Sequence, residues 1–409
     1  MVCTSRYGSH VVATDELFGP AFFVDPYPIY AALREEDPVQ ETAFGPWLLL
    51  RYDDVNRVLR DPAVSVAFDD DLLDERIEQV LGRPRRPSAQ PMLRADPPDH
   101  TRLRRLVQKA FTPRVIADLR PLVEQLVDAA LDEFDTTGTV DIIGDLAFPL
   151  PFLVISRMLG MPETDAARLR DWSHTMTKTL DPILSDDDIR AASDAEAHMN
   201  AFLLDVFEWK RSEPADDLLT ALLAAEDAGD VLSDDELLAQ VSLLFIAGHE
   251  TTVNLIGNGT YALLRNRDQW ERLVREPELD ANVADELLRY DSSVQLTGRV
   301  TTTEVELSRV RLGPSESIIA LLGAANRDPA HWGDTAESLD IGRAGANQHL
   351  SFGGGVHYCL GSALARLEGQ IAIGRMARRF PRMELASDTP AWNGRLVLRG
   401  LDELPVRTS

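Results

Sequence analysis

The stretch of residues 349–361, which reads HLSFGGGVHYCLG, holds one of the two cysteines in a chain of 409 residues. Three consecutive glycines at 353–355 precede Cys359, and Gly361 follows it. Glycine adopts backbone conformations that other residues avoid, and it lets the backbone approach a flat object closely. The pattern predicts a loop leading into a helix that begins at Cys359, where the helix amino terminus would stabilise a thiolate.

The residues alone leave several roles open for Cys359. The ordinary role of an isolated cysteine is that of a small buried apolar side chain. A phosphate-binding loop would need Gly-Lys-Ser/Thr after the glycines, which this sequence lacks. A zinc site would need companion ligands at short spacing, and only His357 is near. One thiolate on a metal that another group already holds remains, and haem is such a case.

Composition narrows the class of protein. Hydrophobic residues make up 44% of the chain and charged residues 26%, which is ordinary for a globular protein, and no apolar run approaches the roughly 20 residues that span a bilayer. The net charge of -26 argues against binding to nucleic acid or to anionic membranes.

The amino terminus does not read as a secretory signal, so we expect a cytoplasmic protein. Cys3 lies in an expected mobile terminus, residues 1–20, and no disulfide with Cys359 is expected.

Hydrophobic periodicity predicts a mainly α fold with small β-sheets (α+β), in a single domain over residues 1–409. Apolar residues recur every three or four positions from about residue 98 to about residue 275, which indicates helices. Strand patterns occur at 47–50, at 300–322 and at 394–398. A capping box formed by Ser233 and Glu236 predicts a long helix from about Asp234 to about Leu264.

The middle of this predicted helix reads AGHETT, residues 247–252. The small residues Ala247 and Gly248 would leave room beside a flat cofactor. Glu250 and Thr251 supply an acid and a hydroxyl that can move protons into a buried pocket. A solvated polar patch is the alternative, whereas a zinc-protease helix is excluded because Val253 occupies the position of its second histidine.

Three groups of charged residues stand out. Glu286 and Arg289 lie at i and i+3 on one helical face, a spacing at which most pairs are surface decoration. His100 and Arg104 lie one helical turn apart, and each taken alone reads as a solvated residue. Residues 101–115 carry a basic stripe without an acid, formed by Arg102, Arg104, Arg105, Lys109 and Arg114, which is either a solvated helix or a docking face.

Residues 352–361, FGGGVHYCLG, resemble the haem-binding loop of the cytochrome P450 monooxygenases. The resemblance extends from about residue 26 to about residue 401 and is strongest to soluble bacterial members that modify natural products. It implies the cytochrome P450 fold, with haem b (iron protoporphyrin IX) between the long helix and the cysteine loop. It also implies that Cys359 is the iron ligand.

The resemblance further assigns roles residue by residue. Glu250 and Thr251 match the family's acid and alcohol, while Glu286, Arg289 and Arg343 match a structural network. Four of the expected cofactor contacts, namely His100, Arg104, Arg299 and His357, match positions that face the haem propionates, and the others are Ala247, Gly248, Phe352, Gly353 and Gly361. The expected substrate contacts are Met92, Leu93, Met176, Leu180, Leu243, Leu244, Val294, Leu296, Leu396 and Val397.

As the resemblance implies, the enzyme would hydroxylate or epoxidise a bulky hydrophobic small molecule, using O2 and two electrons from a ferredoxin and its reductase. A macrolide or other polyketide-type natural product is the first expectation, followed by steroids, vitamin D, terpenoids and then fatty acids. A peroxide-driven peroxygenase and a non-catalytic haem sensor are the rival functions. We expect a monomer with neither a nucleic-acid nor a membrane partner.

Overall fold

The computed structural model of the protein describes residues 19–43, 45–67, 71–84, 89–162, 166–224, 226–227, 230–308 and 310–408. Cys3 and the first 18 residues of the expected mobile terminus lie outside this part of the chain. Two compact units are present: the first comprises Met1–Val66, Val123–Ala147 and Thr251–Ser409, and the second comprises Ala67–Leu122 and Phe148–Glu250. The single domain expected over residues 1–409 stays a prediction.

Helices make up most of the described chain, which confirms the mainly α class. The α-helices are Pro20–Val24, Tyr27–Glu36, Tyr52–Val58, Asp71–Leu81, Asp99–Val107, Pro113–Thr137, Pro149–Leu159, Ala166–Thr177, Asp186–Ser212, Leu218–Leu223, Asp234–Arg265, Arg267–Arg275, Asp280–Tyr290, Leu322–Ala325, Pro329–Trp332 and Ser362–Arg379. Short 3-10 or π turns are Met92–Arg94, Gln108–Ala110, Ile143–Ala147, Lys178–Leu180, Pro277–Leu279, Ala346–Gln348 and Gly355–His357. None of the helices in these ranges is long and apolar enough to cross a membrane.

Asp234–Arg265, called the long helix below, begins where the capping box predicts. The Ser233 hydroxyl oxygen accepts the Glu236 backbone N–H at 3.2 Å, and the Glu236 carboxylate accepts the Ser233 N–H at 2.9 Å. Two of the backbone donors that a helix start leaves unsatisfied are therefore paired by side chains. The division between the two compact units falls inside the long helix, after Glu250.

The first unit contains a five-stranded mixed sheet. Its strands lie in the order Val39–Glu41, Trp47–Leu49, Ser317–Leu321, Leu296–Thr301 and Val64–Ser65. Trp47–Leu49 runs parallel to Ser317–Leu321, and the other neighbouring pairs are antiparallel. The register pairs Ile318 with Arg299, so the sheet fixes the position of one expected cofactor contact.

Residues 47–50 are buried on both faces of this sheet. Trp47 and Leu49 belong to one hydrophobic cluster, whereas Leu48 and Leu50 belong to a second cluster that includes Tyr30, Leu321 and Leu396. Side chains of a strand alternate between the two faces of its sheet, so a continuous apolar run serves two cores. The strand predicted at 47–50 is therefore confirmed at Trp47–Leu49 and contributes to both clusters.

Three small sheets lie in the described part of the first unit. Their strands are Glu384–Leu385, Pro405–Arg407 and Thr139–Asp141 in one sheet, Val305–Leu307 and Val310–Leu312 in the second, and Ala391–Trp392 and Leu401–Glu403 in the third.

The prediction of a strand at 394–398 is wrong, because the structure has no strand over these residues. The side-chain amide of Asn393 donates to the Leu398 carbonyl at 2.9 Å, and its oxygen accepts the Arg395 N–H at 3.1 Å. These bonds fold the segment back on itself. One isolated bridge, between Val294 and Leu398, is what remains of the predicted strand pairing.

The second unit is built mainly from helices. Phe148, Phe152 and Phe245 pack around His249, with ring centroids 5.5 to 6.0 Å from that of the histidine. This aromatic cluster joins Pro149–Leu159 to the amino-terminal half of the long helix within the unit. A two-stranded ribbon, Glu226–Asp227 with Asp230–Val231, precedes the long helix.

Candidate active site

The cysteine loop, residues 349–361, is shaped by its glycines. Gly353 and Gly355 adopt φ angles of 69° and 63°, in the left-handed region that favours glycine. The Cys359 backbone N–H donates to the Phe352 carbonyl at 2.9 Å and closes the loop. The helix predicted to begin at Cys359 begins instead at Ser362. The Cys359 carbonyl accepts the Ser362 N–H in a turn at 3.5 Å, and the first helical bond runs from the Ala365 N–H to the Gly361 carbonyl at 3.0 Å.

Gly355 also packs against the backbone of a neighbouring segment. A Cβ atom at this position would lie 2.5 Å from the Leu59 carbonyl oxygen and 3.1 Å from the Arg60 Cα. We therefore expect Gly355→Ala to lower the free energy of unfolding by at least about 1–2 kcal/mol, the cost of left-handed backbone for a side-chain residue. Urea unfolding would measure the loss, with Gly313→Ala as the control because a Cβ there has open space. Equal losses in the two variants would contradict the expectation.

The Phe352 ring, seven residues before the cysteine, lies between two polar groups. The His349 ring centroid is 5.1 Å away, and the Arg366 guanidinium carbon is 4.6 Å from the Phe352 ring centroid. Asp285 joins these groups, since its Oδ1 lies 3.1 Å from His349 Nε2 and accepts from Arg366 Nε at 2.7 Å. Burial opposes ionisation of Asp285, but these hydrogen bonds outweigh it and lower the pKa of the carboxyl. The cysteine loop is thus fastened to the helices on which Asp285 and Arg366 lie.

Glu286, Arg289 and Arg343 come together in the first unit. Both Glu286 and Arg289 are fully buried, and two parallel hydrogen bonds of 2.8 and 2.9 Å join them. Arg343 Nε lies 3.2 Å from both carboxylate oxygens. Arg289 also donates to the carbonyls of Asn326, Ala336 and Ser338. Residues at i and i+3 usually form a surface pair, but here Glu286 and Arg289 belong to a buried network. This network holds the segment that precedes the cysteine loop.

His100 and Arg104 lie one turn apart on Asp99–Val107, in the second unit. His100 is 2% exposed, and burial, reinforced by the charge of Arg104, lowers the pKa of its imidazole. The basic stripe predicted on the same helix needs a correction. Arg102, one of its five cations, is half-buried and forms an ion pair with Glu236. A capping residue of the long helix therefore neutralises one of the five cations, while Arg105 and Lys109 remain exposed.

The Glu250 side chain is 9% exposed and lies in the second unit. His174 Nδ1 lies 3.3 Å from Glu250 Oε1, and His249 Nε2 lies 3.8 Å from Glu250 Oε2. Burial lowers the pKa of His249, although the charge of Glu250 opposes the shift. Ala247 is exposed, and Gly248 and Thr251 are partly buried.

The expected substrate contacts differ in exposure. In the first unit, the Gln295 N–H donates to the Val397 carbonyl at 2.9 Å, which brings the segments carrying Val294, Leu296, Leu396 and Val397 together. In the second unit, Leu93 is 51% and Leu180 40% exposed, whereas Met92 and Leu244 are buried. Met176 and Leu243 lie between these extremes.

The sequence did not predict several residues that lie around the cysteine loop and around Glu250. His174 had no motif to mark it, and the roles of Asp285 and Arg366 depend on contacts between helices. Glu368 is fully buried on the helix after Cys359, and burial raises its pKa to about 8, although the Thr252 hydroxyl opposes the shift. Its carboxyl group is therefore mainly protonated at neutral pH. An acidic residue within an apolar helical pattern was the available signal for Glu368.

The cysteine loop fits a haem group. A cysteine thiolate is a soft ligand suited to iron, and the glycines before it let the backbone approach a flat ring. Cys359 is partly exposed, whereas residues 349–352 at the start of the loop are buried, so the loop holds the cysteine at a position that is not closed off by the core.

Comparison with known proteins identifies the family. The cytochrome P450 family profile matches residues 48–393. The vitamin D(3) 25-hydroxylase of Pseudonocardia autotrophica is 42% identical, over 96% of this chain and 96% of its own. The 6-deoxyerythronolide B hydroxylase of Saccharopolyspora erythraea is 39% identical, over 96% and 98%. The structure of PksS, the Bacillus subtilis bacillaene polyketide synthase cytochrome P450, superposes with a TM-score of 0.85 at 37% identity, over 96% and 99%.

The chain belongs to the cytochrome P450 family, and it is a cytochrome P450 monooxygenase. Proteins of this family bind haem b through a cysteine thiolate, use redox partners and bind hydrophobic substrates. The predicted family, fold and cofactor are confirmed.

Proposed function

We propose that this monooxygenase hydroxylates a bulky hydrophobic natural product of the polyketide or macrolide type. Its similarity along the whole chain to the 6-deoxyerythronolide B hydroxylase and to a polyketide synthase cytochrome P450 carries the proposal. The apolar character of the expected substrate contacts supports a hydrophobic substrate. Vitamin D or a steroid is the alternative, favoured by the 42% identity to a vitamin D(3) 25-hydroxylase.

In this proposal Cys359 holds the haem iron, and Phe352, Gly353 and Gly361 shape the surrounding loop. His100, Arg104, Arg299 and His357 would pair with the two propionates, since buried carboxylates need cationic or hydrogen-bonding partners. Ala247 and Gly248 would lie beside the ring because they lack bulk. When bound, the haem supplies the electron-transfer and oxygen chemistry, which thiolate ligation favours.

Glu250 and Thr251 would deliver the protons that the reaction consumes. The low exposure of Glu250 suits this role, because a buried carboxyl group can hold a proton away from bulk water and release it inward. The neighbouring Thr251 hydroxyl both accepts and donates hydrogen bonds, so it can pass that proton on.

We expect Glu250→Gln to reduce product formation by a factor of about 10² or more, the usual contribution of a positioned acid. The amide preserves the shape of the side chain but cannot transfer a proton. Product formed per electron consumed would be measured with a surrogate ferredoxin and reductase. Asp235→Asn is the control, because it makes the same chemical change at an exposed position of the same helix. Equal product yields in Glu250→Gln and Asp235→Asn would show that Glu250 does not deliver the protons.

The substrate class can be tested by titrating the ferric, haem-loaded enzyme with a macrolide, vitamin D3, a terpenoid and a fatty acid. A substrate that binds beside the haem would change the absorbance spectrum of the group. The proposal expects the tightest response from the macrolide, and a tighter response from vitamin D3 would favour the alternative substrate.

We propose a ferredoxin and its reductase as the electron donors. The exposed cations Arg105, Lys109 and Arg114 support an acidic docking partner on an otherwise acidic protein. Turnover with ferredoxin that exceeds turnover with peroxide would support this route. The opposite order would indicate a peroxygenase, and no turnover by either route would indicate a haem sensor. The cytoplasmic location and the monomeric state stay predictions.

A further inference from the structure

Two neighbouring helices of the second unit meet through consecutive residues. On Ala166–Thr177, the Ser173 hydroxyl lies 3.1 Å from His249 Nε2, and His174 Nδ1 lies 3.3 Å from Glu250 Oε1. His249 Nδ1 also donates to the Phe245 carbonyl at 2.8 Å, so the long helix holds this histidine in one orientation. The contact between Ser173 and His249 fixes the position of one helix along the other. The contact between His174 and Glu250 joins an imidazole to the carboxyl group that is expected to deliver protons.

Exposure differs sharply across this second contact. The His174 side chain is 45% exposed, whereas that of Glu250 is 9% exposed. Water therefore reaches the imidazole far more readily than the carboxylate. Histidine is the side chain that ordinarily gains and loses a proton between about pH 5 and 8. Its two ring nitrogens let it accept a proton on one side and donate one on the other.

The other charged groups around this contact are less suited to carry protons. His249 is fully buried in its aromatic cluster, and burial lowers its pKa. The guanidinium of Arg170, on the same helix as His174, lies 4.2 Å from the centroid of the Phe148 ring, and arginine side chains serve as fixed cations in proteins rather than as proton carriers. Lys178 is 3.4 Å from Asp188.

We propose that His174 is the proton relay between solvent and Glu250, an inference that rests on the proton-delivery role assigned to Glu250 above. The protonated imidazole gives its Nδ1 proton to the Glu250 carboxylate, which breaks the N–H bond and forms an O–H bond. The ring is then neutral, with its remaining hydrogen on Nε2. Tautomerisation moves this hydrogen to Nδ1 and frees Nε2, which takes a proton from solvent hydronium and restores the imidazolium. No electrons are exchanged, and each proton delivered inward is replaced from solvent.

Three variants of the haem-loaded full-length enzyme test the relay. His174→Gln removes the titrating ring and should lower product formed per electron roughly tenfold, less than loss of Glu250 itself because water can partly substitute. His174→Arg keeps a cation beside Glu250 but cannot release its proton, so it should not restore the yield. His198→Gln removes an exposed histidine stacked on Trp172 in the same unit and is the matched control.

The pH profile separates a relay from a structural contact. In the parent enzyme, product yield should fall as the pH is raised, because the relay draws its protons from solvent. In His174→Gln, the yield should be low and independent of pH. Full yield in His174→Gln, or restoration by His174→Arg, would overturn the relay and leave His174 as a charge partner.

A second readout does not depend on turnover. After a rapid downward pH jump, infrared spectroscopy would follow the protonation of the Glu250 carboxyl, assigned by its disappearance in Glu250→Gln. The relay predicts at least a tenfold slower signal in His174→Gln than in the parent, and equal rates would overturn it. If the parent itself forms no product, the proposed function fails, while this measurement still decides whether His174 supplies protons to Glu250.

Discussion

Cys359→Ser should reduce product formation to background and abolish the thiolate-type absorbance band of the reduced enzyme under carbon monoxide. A serine oxygen is a harder ligand than a thiolate and donates less electron density to iron. The substitution changes one atom in a loop that backbone hydrogen bonds and two left-handed glycines hold in shape, so the fold should persist.

Cys3→Ser is the matched control, because it removes the other thiol of the chain and leaves the cysteine loop unchanged. Absorbance spectra and haem content would be recorded for both variants and for the parent enzyme. A thiolate-type band that persists in Cys359→Ser would exclude Cys359 as the iron ligand.

Glu286→Ala should lower the free energy of unfolding by about 3–5 kcal/mol, the usual cost of leaving a buried charge without its partner. The fully buried carboxylate accepts two hydrogen bonds from Arg289, lies 3.2 Å from Arg343 Nε and accepts the Asp340 backbone N–H at 2.9 Å. Its removal would leave two guanidinium groups uncompensated, one of them without exposure to water.

Glu304→Ala tests whether burial is responsible for this loss. Glu304 pairs with Arg311 at 3.5 Å, but both side chains are 63% exposed, so the expected loss is below about 1 kcal/mol. Urea unfolding midpoints and slopes would be compared for the two variants. Similar losses in both would show that the buried network contributes no more than a surface pair.

The sequence predicted features that depend on short-range chemistry. The Ser233 and Glu236 capping box marks a helix start within a few residues, so the bounds of the long helix followed from the pattern alone. The glycines around Cys359 likewise indicated an unusual loop, and FGGGVHYCLG was specific enough to identify the family. Both signals lie within segments of ten or so residues.

Features that depend on contacts between distant segments were not predicted. The Arg102 side chain reads as an exposed cation until the structure places Glu236 beside it. The segment 394–398 alternates like a strand, but the Asn393 side chain competes for its backbone hydrogen bonds. His174 is separated from Glu250 by 76 positions, and no local pattern encodes their contact.

The cluster that includes Leu48 and Leu50 has a consequence for how substrate range can change. It contains Leu396 and packs against Leu296, two of the expected substrate contacts. Shortening Leu396 to enlarge the expected substrate site would also open a cavity in this core, at a typical cost of about 2–5 kcal/mol. Evolution or engineering toward larger substrates would therefore need a reserve of stability first, gained by compensating substitutions elsewhere in the unit.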